Sequence, residues 1–504
     1  MVTKTAGSST EPAGGIYVSQ SGAGTQDGSS EANAHPVSWL NNASNWGVGA
    51  GKVAPGSLVK LCGTFTGTVD QTMITIPGAG TTGNPVTIYC RTGCSFTNQR
   101  WPNTGAIQIH VYWGGTGYLV LNGNGCVIEN TANGTGLTYH GASRGIFVSS
   151  YGATPVTECE IKGFTIRNIY LNEGYNPAAT DRDGDNTECI RLAGDLTSVY
   201  VHDCTLSNSR TGVDASFDGA TWTDVKFYNN YISDHCWGMS VAGLGVASQA
   251  DVRIYNNEIT YWANWQYPSD DYHTDGIITY SGDTGAPVYA PLIYNNYIHG
   301  DLGAGSPTGF IYGTVGNPTG SANSGSESIV FNNLLVNTGA NANTLLWFGT
   351  KTKNNKVYNN TIVGNTTNAA FNPVIISSSM GGDIYKNNVF STFSQIFGTQ
   401  WADDPAVIIS EMNNNVLYNI GTTNYVGTGH TYTLTQWRAL GAGHDEGSVL
   451  SNPNLSGSYH LGGGSSAIGL GANLTSVGIT ALDSDRSGNA RSNSGAWDAG
   501  VYNY

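Results

Sequence analysis

Ile293-Tyr294-Asn295-Asn296 is one copy of a motif that recurs along the middle of the chain, in which two apolar residues precede two asparagines. Related copies lie at 227–230, 254–257, 330–333, 357–360 and 384–388. Their first asparagines are separated by 27, 39, 37, 27 and 28 residues. A repeat that varies in length without losing its signature is typical of a solenoid whose turns carry loop insertions. The motif therefore predicts one turn of a solenoid per copy.

A second short motif occurs once per turn and supplies the inward-facing residue of another strand. Its copies at 144–147, 188–191, 211–214, 237–240, 275–278 and 308–311 all have an apolar third residue. Short strands without helical periodicity, repeated once per turn, predict an all-β chain folded as a parallel β-helix. The buried asparagines are expected to stack as a ladder, because each amide then satisfies its neighbour.

The two ends of the chain depart from this repeat. Degraded copies extend the array upstream to about residue 55 and downstream to Asn413-Asn414-Asn415, which gives about a dozen turns. We expect a tail and cap at 1–55 with a short amphipathic helix, the β-helix at 56–420 and a Gly- and Ser-rich capping segment at 421–504. Caps are required because an uncovered end exposes strand edges.

Composition excludes several classes of protein. Charged residues make up 11% of the 504 residues, glycine occurs 69 times and the net charge is −15. A nucleic-acid partner would need basic patches, and no apolar run reaches the roughly 18 residues of a membrane span. The first seven residues lack the apolar core of a signal peptide. We expect a monomeric, secreted protein in its mature form, with a cytosolic protein as the alternative.

Eight cysteines leave the redox state of the chain open. When 90–94 is aligned with 122–126, Cys94 and Cys126 fall at the same point of two consecutive turns. Stacked turns are about 4.8 Å apart, which is within reach of a disulfide. A disulfide between the two residues and a pair of buried free thiols are equally compatible with this spacing.

With these motifs, the chain resembles the right-handed parallel β-helix superfamily, which includes pectate lyases, alginate lyases and polygalacturonase-like hydrolases. The asparagine turns carry the resemblance through the central half of the chain, and the segments 16–19 and 497–502 are similar to secreted bacterial members. The resemblance implies a right-handed solenoid that acts on a polysaccharide. It does not fix the reaction, because this fold hosts lyases, hydrolases, esterases, epimerases and adhesins.

Two acid-rich insertions mark the candidate site, since insertions on a solenoid collect on its binding face. They lie at 170–188 and 261–275 and flank the turn that holds Asp214. A carboxylate pair for glycoside hydrolysis is expected among Asp214, Asp275, Asp271 and Glu188. One turn separates Glu188 from Asp214, near the roughly 5 Å of a retaining pair. Two turns separate Asp214 from Asp275, near the upper limit of an inverting pair at about 9.5 Å.

Aromatic and polar residues around the same stretch are candidates for substrate binding. Sugar rings pack against aromatic faces, and aromatic side chains supply a large contact area with a polar edge. The motif at 273–276 is similar to the Asn-Thr-Asp-Gly motif of the polygalacturonase-like hydrolases, which implies a catalytic role for its aspartate. The residues expected to bind substrate are Asp270, His273, Trp237, Trp262, Trp265, Tyr272, Tyr280 and Arg210.

The segment Asp181-Arg182-Asp183-Gly184-Asp185 has the alternating oxygen ligands and the glycine that Ca²⁺ sites favour. A solvated acidic loop is the alternative. If Ca²⁺ binds at Asp181, Asp183 and Asp185, the resemblance to pectate lyases implies β-elimination on a uronate polymer with Arg191 as the base. Arg144 and Arg210 are then candidates to bind the uronate carboxylate.

Charge favours the hydrolase over the lyase. A lyase that cuts a polyanion needs several cations in its cleft, and between residues 211 and 350 the chain has only Lys226 and Arg253. We therefore expect a glycoside hydrolase that cuts a neutral or weakly charged polysaccharide, with the calcium-dependent lyase as the alternative. A carbohydrate-binding adhesin without catalysis is the third hypothesis.

Overall fold

The computed structural model describes most of the chain and divides it into two compact units. The first unit contains residues 1–240 and 265–270, and the second contains 241–264 and 271–504. The described residues are 10–111, 116–132, 142–150, 154–169, 187–216, 221–243, 249–263, 273–282, 291–303, 306–316, 327–339, 344–349, 351–365, 373–377, 381–400, 404–421, 425–427 and 430–504.

Each turn of the first unit opens with a strand that pairs in parallel with the equivalent strand of the next turn. Apolar residues stack in register along these strands, as in the fully buried column Leu121, Ile161, Val201 and Phe227. This stack buries one apolar layer per turn, which explains the alternating pattern of the sequence. Its members are Ile16–Ser19, Leu58–Cys62, Val86–Cys90, Thr116–Asn122, Val156–Lys162, Leu196–His202 and Trp222–Tyr228.

Two further strands complete each turn of the first unit. The second strands are Thr64–Thr66, Ser95–Asn98, Val127–Asn130 and Thr165–Ile169, and the third strands are Ile74–Ile76, Ile107–Val111, Ser143–Ser150 and Thr187–Ala193. In the next turn the two merge, because Thr205–Ser216 pairs first with Thr165–Ile169 and then with Thr187–Ala193. The boundary between the units falls inside the following strand, Tyr231–Gly243.

The N-terminal segment joins the first strand stack earlier than the sequence predicts. Ile16–Ser19 pairs in parallel with Leu58–Cys62, so the stack begins before the expected boundary at residue 56. The predicted short helix is present as Val37–Leu40, with the short strand His35–Pro36 before it and 3₁₀ turns at Glu31–Asn33 and Ala43–Asn45. The Trp46 indole donates to the Leu40 carbonyl at 2.7 Å, which fixes the end of this segment in a buried position.

The second unit repeats the three-strand turn with shorter strands. Its first strands are Gln249–Tyr255, Leu292–Tyr294, Ile329–Phe331, Lys356–Tyr358, Asp383–Lys386 and Ile409–Asn413. Its second strands are Glu258–Trp262, Tyr297–Gly300, Leu334–Asn337, Thr361–Val363, Val389–Phe393, Val416–Ile420 and Val449–Leu450. Its third strands are His273–Gly282, Ser306–Gly316, Leu346–Phe348, Val374–Ser377, Phe397–Gln400 and Tyr425–Gly427, and His430–Tyr432 pairs antiparallel to the last of these.

The asparagine doublets of the second unit have two separate roles. The first asparagine of each doublet adopts the left-handed conformation that turns the chain, with φ of 57° at Asn295 and 53° at Asn332. The second asparagine points inward, and its carboxamide oxygen accepts from the backbone and the side chain of the preceding copy. Distances along this ladder are 2.8–3.1 Å at Asn257, Asn296, Asn333, Asn360, Asn388 and Asn415. The predicted asparagine ladder is confirmed.

The C-terminal segment lies along the doublets as well as beside the last turns. The amides of Asn332 and Asn359 donate to the carbonyls of Ser484 and Asp498 at 2.8 and 2.9 Å, so this segment spans several turns. Nearer the last turns, the Trp437 indole stacks on Tyr425 with ring centroids 4.2 Å apart. The helices of this region are Pro405–Ile408 and Leu434–Arg438, with 3₁₀ turns at Thr475–Val477 and Thr480–Asp483. The expected capping segment therefore also covers a side of the second unit.

In the first unit the ladder position holds an asparagine at Asn230, whose oxygen accepts from the Cys204 amide at 3.1 Å, but other residues occupy it in the earlier turns. The residues before Ser95, Val127, Thr165 and Thr205, which are in register, are Cys94, Cys126, Phe164 and Cys204. All four are buried. The predicted class, an all-β parallel β-helix solenoid, is confirmed by the strand register of each unit. None of the helices in the described part of the chain has the length and hydropathy of a membrane span.

Candidate active site

Charged side chains of the first unit converge on three neighbouring third strands. The register of Ser143–Ser150, Thr187–Ala193 and Thr205–Ser216 aligns Arg144 with Glu188, and Arg191 with Asp214. The motif alignment made from the sequence predicted this register. Because parallel neighbours lie about 4.8 Å apart, each arginine is within reach of the carboxylate on the next strand.

Two ion pairs result from this register. Arg144 Nε lies 2.6 Å from Glu188 Oε2, and Arg144 Nη1 donates to the Asn103 carbonyl at 2.5 Å. Arg191 Nη1 contacts Asp214 Oδ2, and Arg191 Nη2 donates to the Ser216 carbonyl at 3.0 Å. Both guanidinium groups are therefore held by a carboxylate and a backbone carbonyl at the same time.

The two carboxylates differ in their exposure. Glu188 is fully buried, and burial raises the pKa of its carboxyl; Arg144 opposes this shift and the charge of Asp214 adds to it. The Asp214 side chain retains 12% of its exposure. Within the described residues, Glu188 Oε1 and Asp214 Oδ1 accept no hydrogen bond. Asp214 is thus the less buried of the two carboxylates, although the unbonded oxygen of each is buried.

The register corrects one distance expected from the sequence. Glu188 lies opposite Thr211, whereas Asp214 is three residues further along the same strand. The spacing of roughly 5 Å applies only to residues at the same position of neighbouring strands. The retaining geometry inferred for Glu188 and Asp214 from one turn of separation is therefore wrong. Asp214 and Asp275 belong to different units.

Aromatic rings accompany the arginines of this cluster. The Arg144 guanidinium lies 4.9 Å from the centroid of the Phe147 ring, and that of Arg210 lies 4.4 Å from the centroid of a Trp237 ring. Phe147 and Trp237 are half-buried, so each retains an accessible part. Such rings are suited to contact the apolar face of a sugar. Phe147 was missed as a candidate from the sequence, although the motif alignment places it beside Arg191.

The second unit holds a separate histidine–aspartate pair. His273 Nδ1 contacts Asp275 Oδ2, and the Gly309 amide donates to Asp275 Oδ1 at 3.1 Å. Asp275 is fully buried, and burial raises its pKa, while His273 and the Gly309 amide oppose the shift. The His273 side chain is 33% exposed. A buried carboxylate that fixes an accessible imidazole can orient that ring for proton transfer.

The position of Asp275 changes its expected role. The motif alignment paired Asp275 with Thr308, but a register shift after Thr274 places it opposite Gly309. Asp275 is fully buried and contacts His273 and the Gly309 amide. The predicted direct catalytic role of Asp275 does not fit this burial.

Aromatic residues also follow the third strands of the second unit. Tyr312 and Trp347 are in register, half-buried, with ring centroids 5.6 Å apart, and His273 meets the Tyr312 ring edge-on at 5.5 Å. Trp347 was missed because the search concentrated on the long turns, although Leu346 marks its strand as a further copy of the motif. Trp262, expected in the groove, is instead a packing residue: it is buried, stacks on Phe310 at 5.1 Å and donates to the Asp275 carbonyl at 2.9 Å.

Several predicted residues stay predictions. Tyr280 lies on the strand His273–Gly282. The calcium ligands and the remaining loop candidates lie outside the described residues; these are Asp181, Asp183, Asp185, Trp265, Asp270, Asp271 and Tyr272. Within the described part of the chain, the cluster with the spacing of metal ligands consists of cysteines rather than carboxylates.

Comparison with known proteins yields structural likeness only. No family model matches the chain, and no curated protein matches it. The native GH136 lacto-N-biosidase from Eubacterium ramulus is 13% identical over 82% of this chain and 67% of its own, with a TM-score of 0.41. Pectate lyase Pel9A is 15% identical over 97% and 96%, with a TM-score of 0.38. XylC in complex with xylose is 10% identical over 97% and 98%, with a TM-score of 0.42.

These similarities are too distant to assign a reaction. The fold is established instead by the parallel register of successive turns in each unit. By that register, the chain is a parallel β-helix protein.

Proposed function

We propose that the protein is a secreted glycoside hydrolase that cuts a neutral or weakly charged polysaccharide, with Asp214 as one of its two reacting groups. The observation that carries the proposal is the Arg144–Glu188 and Arg191–Asp214 cluster, in which the Asp214 side chain keeps 12% of its exposure and its buried Oδ1 accepts no hydrogen bond among the described residues. Polysaccharides are cut outside the cell, so the proposal includes secretion.

Asp214 has the surroundings that a base or nucleophile requires. Its Oδ2 contacts the Arg191 guanidinium, and Oδ1, which is buried and accepts no hydrogen bond among the described residues, is the oxygen proposed to meet a water or an anomeric carbon. Glu188 is a positioning residue in this proposal, because it holds Arg144 and does not reach the surface. The second reacting carboxyl stays a prediction, with Asp271 of the acid-rich segment 261–275 as the candidate that lies outside the described residues.

The same contacts argue against β-elimination with Arg191 as the base. A base must be neutral before it takes a proton, and an arginine beside a carboxylate is stabilised in its charged form. Arg191 contacts Asp214 and donates to Ser216, and Arg144 contacts Glu188. Both arginines are therefore engaged by carboxylates of the chain, which leaves them poorly placed to bind a uronate.

The test is release of reducing ends from a panel of neutral and uronate polysaccharides. We expect activity on a neutral polymer, without the ultraviolet absorbance of an unsaturated uronyl end and without loss of activity in a chelator. Asp214→Asn should lower kcat by about 100-fold or more, because a positioned acid–base group contributes about 10²–10⁴.

Glu129→Gln is the matched control for this experiment. Glu129 pairs with Arg167 at 2.7 Å on two other neighbouring strands of the same unit, so the substitution removes an equivalent carboxylate outside the cluster. It should leave kcat unchanged. Chelator-sensitive release of an unsaturated product would establish the lyase instead, and saturable binding without any release would establish an adhesin.

A further inference from the structure

Three thiols of the first unit lie together beneath its surface. The Sγ atoms of Cys90, Cys94 and Cys126 are all within 4.8 Å of one another. The three residues are 0–3% exposed, and all eight cysteines of the chain are free. The sequence placed Cys94 and Cys126 at equivalent points of two turns, but it gave no reason to add Cys90.

The fold explains why the third thiol joins the other two. Two tight turns present Cys94 and Cys126, whose amides donate to the Arg91 and Gly123 carbonyls at 2.9 and 2.7 Å. Cys90 is the last residue of the strand that leads into the first of these turns. The residues before the two turn cysteines are glycines with φ of 82° and 81°, a conformation that side chains rarely adopt.

Thiols cannot replace the hydrogen bonds of the asparagine ladder. In the second unit each inward amide both donates and accepts at this position. A thiol is a weak donor and a weak acceptor, so three of them in contact gain little from one another. A cation that accepts three sulfur ligands gives this cluster a stronger set of interactions.

We propose that Cys90, Cys94 and Cys126 form a binding site for a soft divalent cation, with Zn²⁺ as the best match. Zn–S bonds of about 2.3 Å at a tetrahedral centre separate the sulfurs by about 3.8 Å, which the cluster accommodates. Thiolates select soft cations over Ca²⁺ or Mg²⁺. Binding releases the thiol protons to solvent, and the fourth position is open to water or to Cys62, which is buried and interacts electrostatically with Cys94.

A disulfide is the alternative to a metal at this cluster, and it would involve only two of the three cysteines. A disulfide joins two sulfurs and leaves the third as a thiol, whereas a metal engages all three. The site is independent of the proposed hydrolase, since its cysteines lie at the end of a first strand or between the first and second strands of their turns, whereas Arg144 and Asp214 lie in the third-strand stack.

The first measurement counts thiols in protein purified without reductant. Denaturation in a chelator followed by alkylation should modify all eight cysteines, as read by intact mass. Chelator-stripped native protein should then bind one equivalent of Zn²⁺ by calorimetry. Modification of only six cysteines, or the absence of stoichiometric Zn²⁺ binding by fully reduced protein, would overturn the proposal.

Variants locate the bound ion. Cys94→Ala should weaken Zn²⁺ binding by about 100-fold or more, because loss of a ligand exceeds the 10–100-fold cost of losing a supporting contact. Cys159→Ala is the matched control, since Cys159 is fully buried in the same unit but lies outside the cluster. Equal weakening by both variants would contradict the assignment. Protection of the thiols of the wild-type protein by Zn²⁺ gives a second readout that needs no variant.

Discussion

The two units solve the same turn in different ways. In the second unit an asparagine with positive φ turns the chain and the next asparagine extends a buried amide ladder. In the turns of the first unit before Asn230 the inward position holds Cys94, Cys126, Phe164 and Cys204. The inward amides of the ladder satisfy one another. In the other turns, polar groups form hydrogen bonds that differ from one turn to the next.

The most regular turns are not the turns that hold the ion pairs and the thiol cluster. The doublets from Asn332 onward are separated by 27 and 28 residues, which leave little room for insertions. The ion pairs of Arg144 and Arg191 and the thiol cluster all lie in earlier turns, where other residues occupy the ladder position. A regular ladder gives a scaffold, and its interruption allows side chains of other chemistry to take inward or outward positions. Four substitutions test this contrast.

Removal of one partner from the buried ion pair should have the largest effect. Arg144→Met leaves the Glu188 carboxyl buried without its nearest cation, and we expect a loss of about 3–5 kcal/mol in the free energy of unfolding. Urea denaturation measures this. The double variant Arg144→Met/Glu188→Gln should regain part of the loss, because an amide carries no charge. No recovery in the double variant would show that packing rather than charge controls the site.

Interruption of the ladder should cost somewhat less. Asn333 accepts from the Asn296 backbone and side chain and donates to the Ile293 carbonyl and to Asn360. Asn333→Leu leaves these buried groups unbonded, at about 3 kcal/mol in the free energy of unfolding.

The equivalent position of the first unit supplies the control for the ladder. Phe164→Leu should cost only about 1–2 kcal/mol, because it exchanges one apolar side chain for another. Both values come from the same urea experiment. Equal costs at the two positions would mean that the ladder contributes no more than apolar packing does.

A buried acid beside the ladder should make stability depend on pH. Asp383 accepts from the backbone and side chain of Asn355 at 2.9 Å, and burial raises its pKa from 3.8 to about 7. Between about pH 4 and pH 7 the unfolded chain has released this proton and the folded chain retains it. Rising pH therefore destabilises the fold across this window, and the effect is constant above pH 7.

Asp383→Asn removes that dependence while it preserves the oxygen that Asn355 uses. We expect a gain at pH 8, at most about 4 kcal/mol from the difference in pKa, and no gain at pH 4, measured as thermal or urea stability at both values. Asp251→Asn controls for the loss of one negative charge, because Asp251 forms an exposed pair with Arg253. A gain of equal size at pH 4 would rule out titration of Asp383 as the cause.

The smallest effect is expected at an exposed ion pair of the first unit. Arg167 pairs with Glu129 at 2.7 Å, and its side chain is 47% exposed. Arg167→Ala should change the free energy of unfolding by less than about 1 kcal/mol, since solvent screens the pair. Compared with Arg144→Met, this variant measures how much burial contributes to the larger effect. Similar costs for the two variants would contradict the distinction.

Local patterns predicted the fold and the register of the site. The doublet at 332–333 indicated both a turn and a stacked amide, because asparagine tolerates positive φ and bonds in two directions. The alignment of Arg144 with Glu188, and of Arg191 with Asp214, followed from one apolar inward position per strand. The alignment at Asp275 was off by one residue, because a bulge is not visible in a periodic pattern.

The roles of the site residues were harder to predict. Burial distinguishes Asp214 from Glu188 and Asp275, yet all three were predicted from the sequence as equivalent catalytic acids. Trp262 was predicted to bind sugar because it is aromatic, but its ring stacks against that of Phe310 on the strand Ser306–Gly316. Such contacts depend on residues more than 40 positions away, which no local pattern specifies.

The sequence by itself determined that this chain coils as a parallel β-helix with an amide ladder, because a repeat fixes the contacts between identical neighbours. Only the tertiary structure decided that Cys90 joins Cys94 and Cys126, and that Arg144 and Arg191 each take a carboxylate. Those contacts join unlike residues of different turns. Their distances depend on how deeply each side chain is buried and on which neighbours it meets, and both emerge only when the turns stack.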